Sequence, residues 1–261
     1  MIKLVISDVD GTLVNVGGRE DKPAESKPNE ETVKTITELQ KSGYIFGVAS
    51  GRQYPAVKKL FDNTDGMVFC CENGSLVVKD NEVISKTVID RTDFINLIAD
   101  IESTYPETQA LISGAEVTYL IKPTEDYLYL VENFLQNETV IVNSVDEIKE
   151  DIIKVAIFHK SVKNIVGKYS AKWGGKFNVA IAGDMWLDFT LTDKGTGIKK
   201  LCDALGISSD EVLVFGDNFN DIPMFDVAGT SFAMESAKEE VKKHATGICS
   251  NVAEKCKELL L

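Results

Sequence analysis

The sequence contains few histidines, few cysteines and fewer basic than acidic residues, which argues against several classes of protein. Its 261 residues include only two histidines and five cysteines, and 28 basic residues stand against 41 acidic ones, for a net charge of −13. Such a deficit of positive charge argues against nucleic acid, which is bound by basic surfaces, and against anionic membrane surfaces. It does not exclude a small anionic substrate, provided that a metal ion and a few cations shield it locally.

Long apolar segments are also missing. No segment approaches the roughly 20 apolar residues that a membrane-spanning helix needs. A strand-like segment begins at Ile2, so no cleavable signal peptide is expected before it. We therefore expect a cytoplasmic protein.

The cysteines and histidines do not form a recognisable site. The cysteines lack the spacing of metal ligands, and their odd number argues against a disulfide framework. Cys70 and Cys71 lie in an apolar, strand-like segment and are predicted to be buried thiols. His159 and His244 are far apart and have no evident partner, so neither is predicted to be a ligand or a base.

Two acidic residues follow the first apolar segment directly. Asp8 and Asp10 belong to the run Asp-Val-Asp-Gly-Thr, which comes where a buried strand would end. In open α/β sheets, ligands bind at the carboxyl ends of the strands. An acidic surface turn is the simpler alternative, and a calcium loop of the EF-hand type fails because it needs Gly and Glu where this chain has Leu13 and Arg19. The pair therefore predicts a metal cation, a nucleophilic carboxylate, or both.

The alternation of strands and helices predicts two domains. A βαβαβ pattern precedes residue 72, and αβ alternation returns after residue 193, so residues 1–80 and 189–261 are predicted to form a doubly wound, Rossmann-like parallel-sheet core. Residues 81–188 are predicted to be an inserted α+β domain, with helices at about 91–105, 124–136 and 161–172 and strands at about 109–112, 116–121, 152–159, 177–182 and 185–190. The polar segment 15–28 is predicted to be a loop.

Two further motifs have both a simple and a functional interpretation. Ser50 and Gly51 follow the second predicted strand, where a hydroxyl and a backbone amide can hold phosphate oxygens; a plain helix cap is the commoner role of such a pair. Lys194 stands at the start of a predicted helix, where the helix dipole favours anions. A solvated lysine is the usual interpretation, and a bound anion nearby is the functional one.

The last motif again crowds polar oxygens at the end of an apolar strand. Asp217, Asn220 and Asp221 follow the predicted strand 212–215. A helix cap and a solvated turn would account for one acid, but less easily for all three residues together. Oxygen ligands at this density suit Mg²⁺, which takes one or two carboxylates and a substrate phosphate.

In this order, the four motifs resemble those of the haloacid dehalogenase (HAD) superfamily, and most closely its Cof-type (class IIB) sugar phosphatases. The run from Asn220 to Met224 also fits this subgroup, whereas Asn218 stands where the subgroup commonly has glycine. The resemblance implies a HAD-like core with a cap domain that closes over the site and selects the leaving group. Hinges are then expected near 72–78 and 190–194, and Trp186 and Asp188 are candidates to face the substrate.

The resemblance also implies a role for each motif residue in a Mg²⁺-dependent phosphatase. Asp8 would be the nucleophile that forms an aspartyl-phosphate, and Asp10 the general acid and base. The other implied roles are metal binding by Asp8, the Asp10 carbonyl and Asp217; phosphate binding by Val9, Ser50, Gly51, Lys194 and Asn220; and orientation of the metal shell or of Lys194 by Asp221. The expected partner is a small phosphorylated metabolite, a sugar phosphate by class, with no nucleic acid and no membrane, and the protein is expected to be a monomer or small homo-oligomer.

Three alternatives differ in the reaction. A phosphomutase of the same superfamily shares the paired aspartates but returns the phosphoryl group to a second position on the sugar. A catalytically silent phosphate-binding or regulatory protein is disfavoured because nucleophile, acid, lysine and metal acid are all present. A metal-dependent glycosyltransferase is disfavoured because its Asp-x-Asp motif normally follows a nucleotide-binding unit and does not lie at residue 8.

Overall fold

The computed structural model describes residues 1–15, 27–62, 64–182 and 185–261. Of the segment 15–28 that was predicted to be a loop, residues 16–26 lie outside the described residues. The chain divides into two compact units. The core unit comprises Met1–Ser50, Val57–Ser85 and Asp193–Leu261, and the inserted unit comprises Gly51–Ala56 and Lys86–Thr192.

The core unit consists of strands that alternate with helices. With elements numbered along the whole chain, its strands are β1 (Leu4–Ser7), β2 (Ile45–Ala49), β3 (Val68–Cys71), β4 (Leu76–Lys79), β5 (Glu82–Lys86), β12 (Val212–Gly216), β13 (Thr230–Met234) and β14 (Gly247–Cys249). Its helices are α1 (Glu30–Lys41), α2 (Tyr54–Lys59), which crosses the boundary at residue 56, α6 (Lys194–Leu205), α7 (Ile222–Val227), α8 (Glu239–Lys242) and α9 (Val252–Leu260).

The core strands form one sheet in the order β14-β13-β12-β1-β2-β3-β4-β5. From β14 to β3 all neighbours run parallel, and the β3–β4 pair is antiparallel. From β1 the chain continues to β2 and β3 on one side, and later adds β12 to β14 on the other. The strand order therefore reverses between β1 and β12, and the crevice at such a switch point is where doubly wound sheets bind ligands.

Burial of apolar side chains explains why this sheet forms. All four residues of β1 and all five of β12 are buried, as expected for parallel strands that are covered on both faces. Leu4 and Ile6 on one face of β1 pack in a cluster that includes Ile198 and Leu201 of α6 and Phe225 of α7. Since α6 and α7 are anchored on the same cluster as β1, their N-terminal ends can be held near the end of β1.

The inserted unit is an α+β structure with its own sheet. Its strands are β6 (Gln109–Ser113), β7 (Thr118–Ile121), β8 (Thr139–Val142), β9 (Lys154–Phe158), β10 (Asn178–Ala182) and β11 (Trp186–Thr190), in the order β10-β11-β9-β6-β7-β8. Its helices are α3 (Arg91–Thr104), α4 (Glu125–Tyr129) and α5 (Val162–Trp173). In this sheet β7 and β8 run parallel, whereas the pairs β10–β11, β11–β9, β9–β6 and β6–β7 are antiparallel. The predicted fold class, a doubly wound parallel core with an inserted α+β unit, is confirmed.

The unit boundaries lie elsewhere than the sequence placed them. The units divide at residues 85/86 and 192/193, not at 80/81 and 188/189, and 51–56 groups with the inserted unit. The pairing of the strands gives the reasons. The strand β5 extends the core sheet past residue 80, and β11 pairs with β9 up to Phe189 and with β10 up to Thr190. The role of the inserted unit as a cap and the hinges near 72–78 and 190–194 stay predictions.

Two local elements of the inserted unit differ from expectation. Residues 139–142 were not predicted to be a strand, yet they form β8 at the sheet edge, where Val140 and Ile141 are exposed. The single helix expected over 124–136 is instead α4 followed by a π-helical turn at Leu130–Phe134. Cys70 and Cys71 are buried, as predicted. No helix in the described ranges combines the length and apolar character required to cross a membrane.

Candidate active site

Asp8 is held at the end of β1 by the sheet itself. Its backbone N–H donates to the Phe215 carbonyl at 2.8 Å, which continues the parallel pairing with β12 for one residue past the strand. The chain then turns tightly, because the Val9 carbonyl accepts hydrogen bonds from the amides of Leu13 at 3.0 Å and Val14 at 2.8 Å. Asp8 is 6% exposed. Its carboxylate is therefore fixed at the switch point of the sheet and largely shielded from water.

Gly11 lets this turn approach the loop after β12. Its φ of +87° lies in the left-handed region, and a Cβ atom there would be 2.4 Å from Asp217 Oδ2. Next to it, the Thr12 hydroxyl donates to Asp217 Oδ1 at 3.3 Å. Only a residue without a side chain allows this contact, so the glycine of the first motif sets where the Asp217 carboxylate lies.

Lys194 is a fully buried cation between two carboxylates. Its Nζ atom lies 2.5 Å from Asp8 Oδ1 and 2.6 Å from Asp221 Oδ1, and none of the residue is exposed. It is the first residue of α6, whose N-cap, Asp193, accepts a hydrogen bond from the Thr196 amide at 2.7 Å. In the part of the chain that the structure describes, the anions beside Lys194 are the carboxylates of Asp8 and Asp221. Lys194 is therefore not a solvated lysine.

Asp221 connects the lysine to the loop that carries Asp217. While Oδ1 contacts Lys194, Oδ2 accepts the amides of Asp217 at 2.8 Å and Asn218 at 2.9 Å. Gly216 makes room for this arrangement, since a Cβ there would be 2.6 Å from the Asp221 side chain. Both oxygens of Asp221 are thus used to hold the loop and the lysine.

Burial, together with the charges of neighbouring carboxylates, raises the affinity of Asp8 and Asp217 for protons. Burial raises the pKa of Asp8 well above its ordinary value; Lys194 opposes this rise, and the neighbouring aspartates, Asp221 first, add to it. Burial, and then the charge of Asp221, raises the pKa of Asp217 to about 6. Burial would lower the pKa of Lys194, but the charges of Asp221 and Asp8 outweigh it and raise that pKa, so the lysine stays charged.

This distribution of charge fits a divalent cation. Oxygen atoms of Asp8, Asp217 and Asp221 all lie within 4.8 Å of one another, and Lys194 supplies one positive charge against three carboxylates. Hard oxygen donors around an excess of negative charge are what Mg²⁺ and similar ions bind. Since both oxygens of Asp221 are occupied, Asp8 and Asp217 are the carboxylates best able to hold the ion.

The other predicted site residues differ in burial and in the unit to which they belong. Asp10 is half-buried and lies outside the cluster of three carboxylates found in the described part of the chain. Val9 and Ser50 are buried in the core unit. Gly51 falls in the inserted unit, where its carbonyl accepts a hydrogen bond from Lys154 Nζ at 2.7 Å.

One residue that sequence reasoning did not assign to the site joins two of its loops. The Asn73 side-chain oxygen accepts a hydrogen bond from Asn220 Nδ2 at 3.2 Å, and its amide donates to the Ser50 carbonyl at 3.0 Å. The available signal is an Asn-Gly pair one residue after a buried strand, in the segment 72–78 where the sequence predicts only a hinge.

Comparison with known proteins identifies the family. A sequence profile of the haloacid dehalogenase-like hydrolases matches residues 5–256. The chain belongs to this family. The resemblance predicted from the four motifs is therefore confirmed, including the Cof-type subgroup.

Several relatives of this haloacid dehalogenase-like hydrolase are named as phosphatases. It is 26% identical to the 5-amino-6-(5-phospho-D-ribitylamino)uracil phosphatase YbjI of Escherichia coli, over 92% of this chain and 88% of that one. It is also 26% identical to a phosphoglycolate phosphatase of Methanopyrus kandleri, over 94% and 89% of the two chains. The solved structure of the subclass IIB sugar phosphatase BT4131 matches with a TM-score of 0.79 at 22% identity, over 98% of both chains. The chain is a phosphatase of this family.

Proposed function

We propose that this phosphatase is a Mg²⁺-dependent phosphomonoester hydrolase that works through an aspartyl-phosphate on Asp8. The observation that carries the proposal is the buried Lys194, which lies 2.5 Å from Asp8 and 2.6 Å from Asp221, with Asp217 beside them. A purely structural ion pair would need one carboxylate for one lysine. Here three carboxylates lie together at the switch point. Their negative charge exceeds that of Lys194, so it can hold a metal cation, and an Asp8 oxygen can attack phosphorus.

Asp8 is the proposed nucleophile. Its carboxylate oxygen forms a bond to phosphorus while the bond from phosphorus to the leaving oxygen breaks, and the pair of electrons departs with that oxygen. The pairing of the Asp8 amide with Phe215 and the contact with Lys194 fix the carboxylate, so little ordering is required when substrate binds.

Asp10 is the proposed general acid and base. It would give a proton to the leaving alkoxide, and then take a proton from the water that hydrolyses the aspartyl-phosphate. Because Asp10 lies outside the three-carboxylate cluster and is half-buried, its side chain is better placed for proton exchange than those of Asp8 or Asp221.

Mg²⁺, held by the carboxylates of Asp8 and Asp217 and the carbonyl of Asp10, would supply positive charge between nucleophile and substrate. Without such a cation, the negative charges of carboxylate and phosphate would repel each other. Two like charges 4 Å apart repel by about 4 kcal/mol at an effective dielectric near 20.

The proposed phosphate ligands are Lys194, Ser50, Asn220 and the amides of Val9 and Gly51. An ammonium group has three N–H donors, and two of those of Lys194 point to Asp8 and Asp221. The third is left for a phosphoryl oxygen, whose charge grows in the transition state. Asp221, which holds Lys194 and the loop of Asp217, is proposed to orient both.

The proposed substrates are sugar phosphates or similar small phosphorylated metabolites. The two relatives named above act, by their names, on a phosphorylated ribityl compound and on phosphoglycolate. A phosphomutase is the second candidate, since it would use the same aspartates. Release of orthophosphate from a hexose phosphate, measured against formation of its isomer, separates the two.

The test is hydrolysis of p-nitrophenyl phosphate and of a metabolite library, with Mg²⁺ and with EDTA. We expect turnover with Mg²⁺ only, and its loss in Asp8→Asn, which keeps the size of the side chain but removes its charge. Asp226→Asn, at an exposed position of the same unit, is the matched control and should be as active as wild type. Activity in EDTA, or activity in Asp8→Asn, would refute the proposed mechanism.

A further inference from the structure

Residues Glu72, Asn73 and Gly74, directly after β3, have an unusual backbone. Their φ angles are +51°, +51° and +89°, so two of the three are non-glycine residues in the left-handed region. Each such residue costs roughly 1–2 kcal/mol unless glycine takes the position, although asparagine tolerates it better than most. A strained conformation of this kind persists only where the surroundings impose it, and it is often found at functional sites.

Asn73 uses this conformation to contact two loops at once. Its amide donates to the Ser50 carbonyl after β2, and its side-chain oxygen accepts from Asn220 after β12. In the sheet, β3 lies three strands away from β12, with β1 and Asp8 between them. A 5% exposed side chain thus links the loops on both sides of the nucleophile.

We infer that Asn73 is a positioning residue for the phosphate-binding loops, acting through the side chain of Asn220. This inference rests on the proposed function, in which Ser50 and Asn220 bind the phosphoryl group. An asparagine amide has two N–H donors and one carbonyl oxygen. The bond to Asn73 takes one donor and decides which way the amide faces, so the second N–H is held ready for a phosphoryl oxygen.

The sequence offers a closely matched pair of variants. Asn73→Gly allows the left-handed backbone and the hydrogen bond from the residue 73 amide to the Ser50 carbonyl, and removes the side-chain contact with Asn220. Asn81→Gly is the control, since Asn81 also has a positive φ, +63°, and also accepts a side-chain hydrogen bond, from Lys58 Nζ, but is exposed in the β4–β5 turn. Both variants change the unfolded chain in the same way.

The experiment measures the dissociation constant of orthophosphate with Mg²⁺ by calorimetry, and KM and kcat for p-nitrophenyl phosphate. We expect Asn73→Gly to weaken phosphate binding and raise KM by about two- to tenfold, the range for one hydrogen bond, while Asn81→Gly matches wild type. The double variant Asn73→Gly/Asn220→Ala should bind phosphate no more weakly than Asn220→Ala alone. Asn73 is inferred to act through the Asn220 side chain, so once that side chain is removed the change at residue 73 has no further effect.

The outcomes separate the inference from the proposed function. If Asn73→Gly binds phosphate as tightly as Asn81→Gly, or if its effect multiplies with that of Asn220→Ala, the positioning role is refuted. If wild type binds orthophosphate but hydrolyses no phosphomonoester, the proposed function fails, and the phosphate affinities still decide the role of Asn73.

Discussion

Replacing Gly11 by alanine tests whether the first motif sets the position of Asp217. In the structure, a Cβ on Gly11 would lie 2.4 Å from Asp217 Oδ2 and 2.8 Å from Asp217 Cγ. Ordinary van der Waals contact begins at 3.4 Å. The carboxylate must therefore move away by about 1 Å, and misplacement by that amount can cost about 10²-fold in rate.

The substitution also strains the backbone, and Gly43 isolates this second effect. Gly43 has φ +92°, against +87° at Gly11, but a Cβ there would have no atom within 4 Å. Both alanine variants should lose about 1–2 kcal/mol of unfolding free energy from the left-handed backbone. Only Gly11→Ala should also disturb the proposed metal ligand.

The assay is hydrolysis of p-nitrophenyl phosphate over a range of Mg²⁺ concentrations, together with urea unfolding. For Gly11→Ala we expect a fall in kcat/KM of about 100-fold and a higher half-saturating Mg²⁺ concentration. For Gly43→Ala we expect the activity and the Mg²⁺ dependence of wild type. If the two variants have the same activity and Mg²⁺ dependence, the turn around Gly11 does not position the metal ligand, and the reasoning is wrong.

Two further predictions concern the charges of the site. Lys194→Met leaves Asp8 and Asp221 without their shared cation, so the unfolding free energy in urea should fall by about 3–5 kcal/mol; a loss below 1 kcal/mol would contradict this. In EDTA, the melting temperature should rise as pH falls from 7 towards 4.5, because folded Asp217, with its pKa near 6, binds a proton that the unfolded chain binds only near 3.8. Saturating Mg²⁺ should abolish that rise, and a melting temperature that falls over the same range would refute it.

Much of the core unit could be predicted because the apolar runs of its strands and the alternation of strands with helices both indicate the same parallel sheet. The sequence shows the apolar run of β1 followed at once by Asp8. Because a parallel strand is buried on both faces, an acidic residue is expected at its end and not within it. The same holds for β12 and Asp217. The alternation predicts a parallel sheet, and in that sheet the pairing of β1 with β12 brings these two ends together.

The edge strand β8, the contact of Asn73 and the unit boundaries could not be predicted, because they depend on contacts between residues that are distant in the sequence. The β8 strand is short and exposed at the sheet edge, so burial does not mark it. The contact of Asn73 with Asn220 joins residues 147 positions apart, and the left-handed backbone that enables it appears only in the folded chain. The unit boundaries likewise depend on strand pairing, not on composition.

The ion pair between Lys194 and Asp8 has a consequence for how the protein is made. The two residues are 186 positions apart, so at about 5–20 residues per second the ribosome adds Lys194 roughly 10–40 s after Asp8. During that interval Asp8 lacks Lys194, and β1 lacks β12, the neighbour whose Phe215 carbonyl fixes the Asp8 backbone. Closing so long a loop is also slow for entropic reasons. A nascent chain therefore carries Asp8, the proposed nucleophile, early, but completes this site only after Lys194 and β12 have been made.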